Sequence, residues 1–296
     1  MALSEERYNE LKEILTGTRP PVPDYPDEIK AYLELADSEK VVRTAGGQDY
    51  TIYIRKAHNQ TPASPLYIYM HGGGWAVGHE ACDDYYSCWM ADQIGGVVID
   101  VDYTTSFYGD LDVMYAQTRD ALEYAAAQAE ALGCDPARIV MGGFSAGGHL
   151  TAGTVLRMLE EDKCPLAGVI LAYSPLDLRL KPRVAPATER DKAMQVRGAA
   201  YEEMVLRGDD ERRKDYIVSP LLASKLLLAK LPRTMVISAQ LCEFREQDEA
   251  FAKTLSEIGI ETTSCRFTFS GHGFMPHFRQ EWKEASLRTA RFIKSC

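Results

Sequence analysis

Apolar and polar residues follow two different periods along this chain, and the switches between them mark its elements. Residues 4–16 put Leu11, Ile14 and Leu15 on one face of a helix, with Ser4 as its cap. TRPPVPDYP (18–26) holds four prolines and reads as an extended connector. A second short helix, DEIKAYLELAD, follows. From Glu39 the period drops to two: EKVVRT and YTIYIRK form a hairpin that turns at Gly46-Gly47. LYIYMH (66–71), GVVIDVDY (96–103), RIVMGGF (138–144), LAGVILAYS, PRTMVISAQ and ETTSCRFTFS read as further strands. Helices are expected near 110–132, closed by Gly133, and over 146–162, 247–258 and 280–294.

Strands alternating with helices imply βαβ units and a mostly parallel sheet covered on both faces. Residues 178–216 break that rhythm with a charged, helical stretch, YEEMVLRGDDERRKDY. It is either a solvated insertion or a cap. A cap is favoured, because insertions after the carboxyl ends of parallel strands face the ligand. The expected organisation is therefore an N-terminal helical cap segment over 1–38 and a core over 39–296, with a cap insertion at about 178–216.

Composition narrows the class without naming it. With 296 residues, 46% hydrophobic and 26% charged, the chain has the make-up of a globular protein that needs neither metal nor disulfide staples. The net charge of -10 argues against nucleic acid or an anionic membrane as a partner. Seven cysteines without a CxxC pair fit scattered reduced thiols, and no His/Cys/Asp cluster shows the spacing of a metal site. The opening MALSEERYNELKEIL has no apolar secretory core, and the longest apolar run, Cys164 to Leu176, suits a buried strand. A cytoplasmic location is expected, and oligomeric state has no signature.

The chemistry gathers at three places. Gly143-Phe144-Ser145-Ala146-Gly147 matches GxSxG between a buried strand and a helix. There the glycines permit a sharp turn that lifts the Ser145 hydroxyl into a cleft. His71-Gly72-Gly73-Gly74-Trp75 directly follows the strand LYIYM, and its glycines let backbone N–H groups approach a developing oxyanion. Of the six histidines, His272 in SGHGF lies in a glycine-flanked loop after the last strand, where a base belongs in the order serine, acid, histidine. His71 reads as an orienter of the glycine loop and His149 as a packed or capping residue. His58, His79 and His277 read as surface.

HGGGW, GFSAGG and SGHGF, in that order, resemble the hormone-sensitive-lipase-like group of α/β-hydrolase esterases over about residues 40–296. YIVSPLLA (216–223) and VDY (101–103) are similar to further segments of that group. The resemblance implies an eight-stranded α/β-hydrolase sheet with a small helical cap, no cofactor, and hydrolysis of short-acyl carboxylic esters. It implies Ser145 as nucleophile, His272 as base, and Gly73, Gly74 and Ala146 as oxyanion hole. Trp75 and Phe144, adjacent to these residues, are expected in the pocket. TTSFYGDLDV (104–113) departs from the RLAPE-like stretch of the relatives.

A second departure falls on the triad acid. In SAQLCEFRE, Cys242 stands where the group carries Asp. A thiol cannot hold an imidazolium as a carboxylate does, and Cys242 reads as a small buried residue. Glu243 is the preferred acid, with Glu246, Asp177 or no acid as alternatives. A non-catalytic small-molecule binding protein, or a carbohydrate deacetylase or amidase, remains an alternative on the same machinery.

Overall fold

The computed structural model describes residues 3–17, 25–35, 37–180 and 189–296. The connector expectation at 18–24 and the first part of the insertion, 181–188, lie outside the described residues.

Eight strands form one sheet in the order β1-β2-β4-β3-β5-β6-β7-β8. They are β1 (Asp37–Ala45), β2 (Gln48–Lys56), β3 (Ser64–Met70), β4 (Val97–Asp102), β5 (Cys134–Phe144), β6 (Gly168–Ala172), β7 (Arg233–Leu241) and β8 (Thr262–Gly271). β2 runs antiparallel to both its neighbours, β1 and β4, and the remaining pairs are parallel. The expected eight-stranded α/β-hydrolase sheet is thus present, hairpin included. β3 is buried at every position, as a central parallel strand covered on both faces must be.

The helices are α1 (Glu5–Thr16), α2 (Asp27–Leu35), α3 (Ala81–Ile94), α4 (Leu111–Gln128), α5 (Ala146–Glu160), α6 (Glu189–Leu206), α7 (Lys225–Leu228), α8 (Arg245–Glu257) and α9 (Trp282–Ser295). One face of the sheet packs against apolar residues of α4, α5 and α8, including Met114, Leu150 and Phe251. The other packs against α2, α3 and α9 through Ile29, Trp89 and Trp282. Each such fully buried side chain contributes roughly 1.5–3 kcal/mol by leaving water. α3 escapes the sequence pattern because it buries Cys82, Tyr86, Trp89, Met90 and Ile94 around much of its circumference. A helix enclosed in this way has no clean apolar stripe.

The opening segment divides between two places. Leu11 and Leu15 of α1 join Ala200 and Met204 of α6, and both helices rest on Ala76 of the glycine loop. Arg7 binds Glu203 through two hydrogen bonds of 2.8 and 2.7 Å, and the Leu3 amide donates to the Arg207 carbonyl. α2 instead lies on the opposite face, against α3.

Register places the reactive segments side by side. Met70 pairs with Gly143 and Phe144 with Ala172, so the glycine loop, Ser145 and Tyr173 leave the sheet together. On the next strands Leu241 pairs with Gly271, and the following residues, Cys242 and His272, emerge as neighbours. The site is therefore assembled at the carboxyl ends of parallel strands, where such sheets bind ligands.

Candidate active site

The elbow between β5 and α5 is built from absent side chains. A Cβ on Gly147 would lie 2.1 Å from the Met70 carbonyl oxygen, and one on Gly143 would lie 2.5 Å from the Gly147 carbonyl carbon. With both positions bare, Ser145 adopts φ 53° and ψ -119°, a conformation that costs on the order of 1–3 kcal/mol and is held by its surroundings. Its amide donates to the Ala172 carbonyl at 2.9 Å. The side chain is 8% exposed. His272 Nε2 accepts a hydrogen bond from the Ser145 hydroxyl at 2.9 Å, within reach for proton transfer.

The glycine loop wraps the same serine. Gly73 and Gly74 have φ of 109° and 59°. A Cβ on Gly72 would already touch Ser145 Cβ at 3.6 Å. Tyr103 donates its hydroxyl to the carbonyls of His71 and Gly72, and its ring stacks on His71 at 4.2 Å and 9°. His71 is 1% exposed and meets the Gly72 carbonyl through Nδ1 at 2.7 Å. Among the described residues, the amides of Gly73, Gly74 and Ala146 donate no hydrogen bond. These three donors belong to the loop and the helix start that flank Ser145 in the fold.

The two aromatic pocket candidates lie deeper than their positions suggest. Trp75 is 3% exposed and donates its indole N–H to His149 Nδ1 at 3.2 Å. His149 is fully buried and donates through Nε2 to the Val218 carbonyl at 2.9 Å. Burial lowers its pKa to about 4, so it remains a neutral bracket between two partners. Phe144 is 1% exposed and packs among Tyr69, Tyr86 and Tyr173, forming an apolar floor under the elbow.

At the far nitrogen of His272 stands the thiol. Cys242 Sγ lies 3.2 Å from His272 Nδ1, and it also accepts the Phe244 amide at 3.4 Å. Burial first, then the charges of Glu243 and Asp248, push this thiol well above its usual range, so it keeps its proton. Glu243 is exposed, yet a carboxylate oxygen lies within 4.8 Å of both the Cys242 sulfur and a His272 ring nitrogen. The other two acid candidates are placed elsewhere. Asp177 is buried in an ion pair with Arg179 at 2.7 Å, and Glu246 is exposed on α8. Tyr173 and Phe244 flank the His272 ring edge-on at 5.3 and 5.5 Å.

Two features were not legible in advance. Gln247 accepts the amides of Leu176 and Asp177, both at 2.8 Å, and the fully buried Asp248 accepts the Ser174 amide at 3.0 Å. Together they tie α8 to the loop after β6. His79, read as a surface residue, is instead enclosed: its Nε2 donates to Asp100 at 2.8 Å, and the Asp100 side chain is 0% exposed. Asp84 closes the group and pairs with Arg55. Burial disfavours charge on His79, but the charge and hydrogen bond of Asp100 overcome it and raise its pKa to about 10. His79, Asp84 and Asp100 could reach a metal ion. The Arg55 guanidinium and the His79 proton already balance the two carboxylates. His277 is likewise half-buried rather than exposed, packed beside Gly273 in the loop that carries His272. His58 does lie at the surface, 41% exposed and against Asp92.

Comparison with known proteins settles the family. A family model described as the alpha/beta hydrolase fold matches residues 67–276, more than half of the chain. The chain belongs to the α/β-hydrolase family. This hydrolase is 29% identical over 233 residues to an arylesterase of Saccharolobus solfataricus, covering 77% of the chain and 74% of the relative. It is 27% identical over 256 residues to the carboxylesterase NlhH of Mycobacterium tuberculosis, covering 82% and 76%. The crystal structure of an esterase from Pyrobaculum calidifontis superposes with a TM-score of 0.79 at 23% identity and covers 97% of both chains. That likeness establishes the fold. Among the described residues, no helix is long and apolar enough to cross a membrane.

Proposed function

We propose that this α/β-hydrolase is a serine carboxylic ester hydrolase acting on small, short-acyl esters in the cytoplasm. The observation that carries the reading is the 2.9 Å contact between Ser145 Oγ and His272 Nε2 beside three unengaged amides. Ser145 attacks the acyl carbonyl while His272 takes the hydroxyl proton at Nε2. The amides of Gly73, Gly74 and Ala146 receive the oxyanion, a contribution of about 3–4 kcal/mol per donor in comparable sites. His272 then returns its proton to the leaving alkoxide, and water, activated by the same ring, releases the acid. Glu243 supplies the negative charge on the far side of His272, while Trp75 and Phe144, buried behind the glycine loop and under the elbow, support the site rather than line it.

The pairing of α1 with α6 supports a cap that closes over this centre. Tyr201 of α6 lies flat against Gly74, where a Cβ would come within 2.6 Å of its ring. A roof so close to the oxyanion loop favours acetate-to-butyrate esters and disfavours chains beyond about eight carbons. A binding module on the same fold would have no use for a serine strained to φ 53° and bonded to histidine.

Hydrolysis of p-nitrophenyl esters from acetate to octanoate, by wild type and Ser145→Ala, tests the reading. Turnover that peaks at short chains and vanishes in the variant is expected. No turnover of any ester, or an undiminished variant, would overturn it. An N-aryl acetamide in the same series separates an esterase from an amidase.

A further inference from the structure

His272 needs an acceptor for its Nδ1–H, both to hold the tautomer whose Nε2 faces Ser145 and to steady the imidazolium formed during attack. Register delivers Cys242 to that place, one residue beyond the Leu241–Gly271 pair. Its sulfur is the atom within hydrogen-bond distance of Nδ1, and the Phe244 amide fixes its rotamer from the other side. Asp177 is turned to Arg179, and Asp248 to the Ser174 amide. We infer that Cys242 is the positioning residue of the base, and that Glu243 acts on His272 through the Cys242 thiol. This inference rests on Ser145 and His272 being nucleophile and base.

Two protons define this arrangement. His272 Nδ1–H donates to the Cys242 sulfur, and the S–H donates toward the Glu243 carboxylate, which lies within 4.8 Å of both groups. During attack the Ser145 proton moves to Nε2, while the Nδ1 and thiol protons stay where they are. A neutral thiol orients the ring but carries no charge of its own. The countercharge comes from Glu243, one side chain further out and exposed to solvent. A charge-assisted hydrogen bond is worth about twice a neutral one, so this arrangement stabilises the imidazolium less than a direct carboxylate would. Cys242 is thus necessary and also suboptimal, and both properties can be measured.

The test is steady-state hydrolysis of p-nitrophenyl butyrate across pH 5–9 by wild type, Cys242→Ala, Cys242→Ser, Cys242→Asp, Glu243→Gln and the Cys242→Asp/Glu243→Gln double variant. Circular dichroism confirms that each is folded. Cys242→Ala is expected to lower kcat about 10- to 100-fold, with KM changed less than about twofold, because the lost contact matters mainly in the transition state. Cys242→Ser, whose hydroxyl accepts the same Nδ1–H, recovers most of that loss. Cys242→Asp raises kcat about tenfold and moves the acidic limb of kcat/KM to higher pH, as a carboxylate against imidazolium must. Glu243→Gln costs about tenfold in the wild-type background, and that cost shrinks to about twofold once Asp replaces the thiol. Wild-type kcat in Cys242→Ala would overturn the inference. Equal costs of Glu243→Gln in both backgrounds would overturn the coupling through sulfur. Should Cys242→Ala fail to fold, the Ser and Asp variants carry the test: a Ser variant as slow as background, with Asp no faster than wild type, is the contrary result. Loss of activity in Ser145→Ala alongside an unaffected Cys242→Ala separates failure of this inference from failure of the esterase reading.

Discussion

His79 and His272 each meet a partner through one ring nitrogen, and the two partners are chemically opposite. His79 faces Asp100 at 2.8 Å inside the protein, with Asp84 and Arg55 completing a balanced group of charges. His272 faces a thiol at 3.2 Å and, on its other side, the Ser145 hydroxyl at 2.9 Å. The first pair holds a proton up to about pH 10, while Asp100 is held below the ordinary carboxylate range by the same contact, against the opposing effect of burial. A carboxylate–histidine pair is therefore not by itself catalytic. His79 looks onto the rings of Tyr53 and His71, and among the described residues its ring bonds no hydroxyl or thiol. What makes a histidine a base is the group at its second nitrogen.

Swapping roles between the two sites should produce effects of very different kinds. The largest is at the reactive site: Ser145→Ala and His272→Ala should each lower kcat by about four orders of magnitude or more. The double variant should be no worse, since the pair acts as a unit. The corresponding change at the other site, His79→Gln, should leave kcat per folded molecule within about threefold of wild type. Its kinetics on p-nitrophenyl butyrate check this directly.

Next in size is Asp100→Asn. Removing one partner of a buried pair leaves a charge without compensation, a loss of about 3–5 kcal/mol. Thermal unfolding at pH 7 should show a clear drop in Tm. An unchanged Tm would mean that the pair contributes nothing to folding.

An effect of comparable total size, spread over several pH units, follows from linkage. Because the folded pKa of His79 is raised from 6.5 to about 10, its contribution is complete below about pH 6.5 and declines as pH rises toward 10. The slope is at most about 1.4 kcal/mol per pH unit for one proton. Denaturant titrations at pH 6, 8 and 10 should show this decline in wild type and a flatter profile in His79→Gln. Smallest of all, Tyr201→Ala should raise acceptance of hexanoate over acetate about threefold in kcat/KM, by opening the roof over Gly74.

The difference between the two histidines also marks what a sequence can disclose. The elbow and glycine loop are local: Gly143, Ser145 and Gly147 reveal their turn within five residues, because a side chain at either glycine would strike backbone. The central strands β3, β4 and β6 are equally open, since a strand buried on both faces must be apolar almost throughout. His79 gave no such sign. Asp100 is 21 residues away, and their meeting depends on the path between the glycine loop and β4. Cys242 could be aligned with the missing acid from its distance past β7. That its sulfur meets Nδ1 depends on the register of β7 with β8, which no local pattern encodes. α3 was hidden for another reason, since a helix covered on several sides has apolar residues without a stripe.

The measurement closest to the central claim is covalent. Incubation with diethyl p-nitrophenyl phosphate, followed by intact-protein and peptide mass spectrometry, captures the nucleophile without any assumption about the natural ester. One diethylphosphoryl group per chain, carried by Ser145 and absent from His272→Ala on the same time scale, is the expected result. No adduct, or an adduct on a residue other than Ser145, would contradict the account.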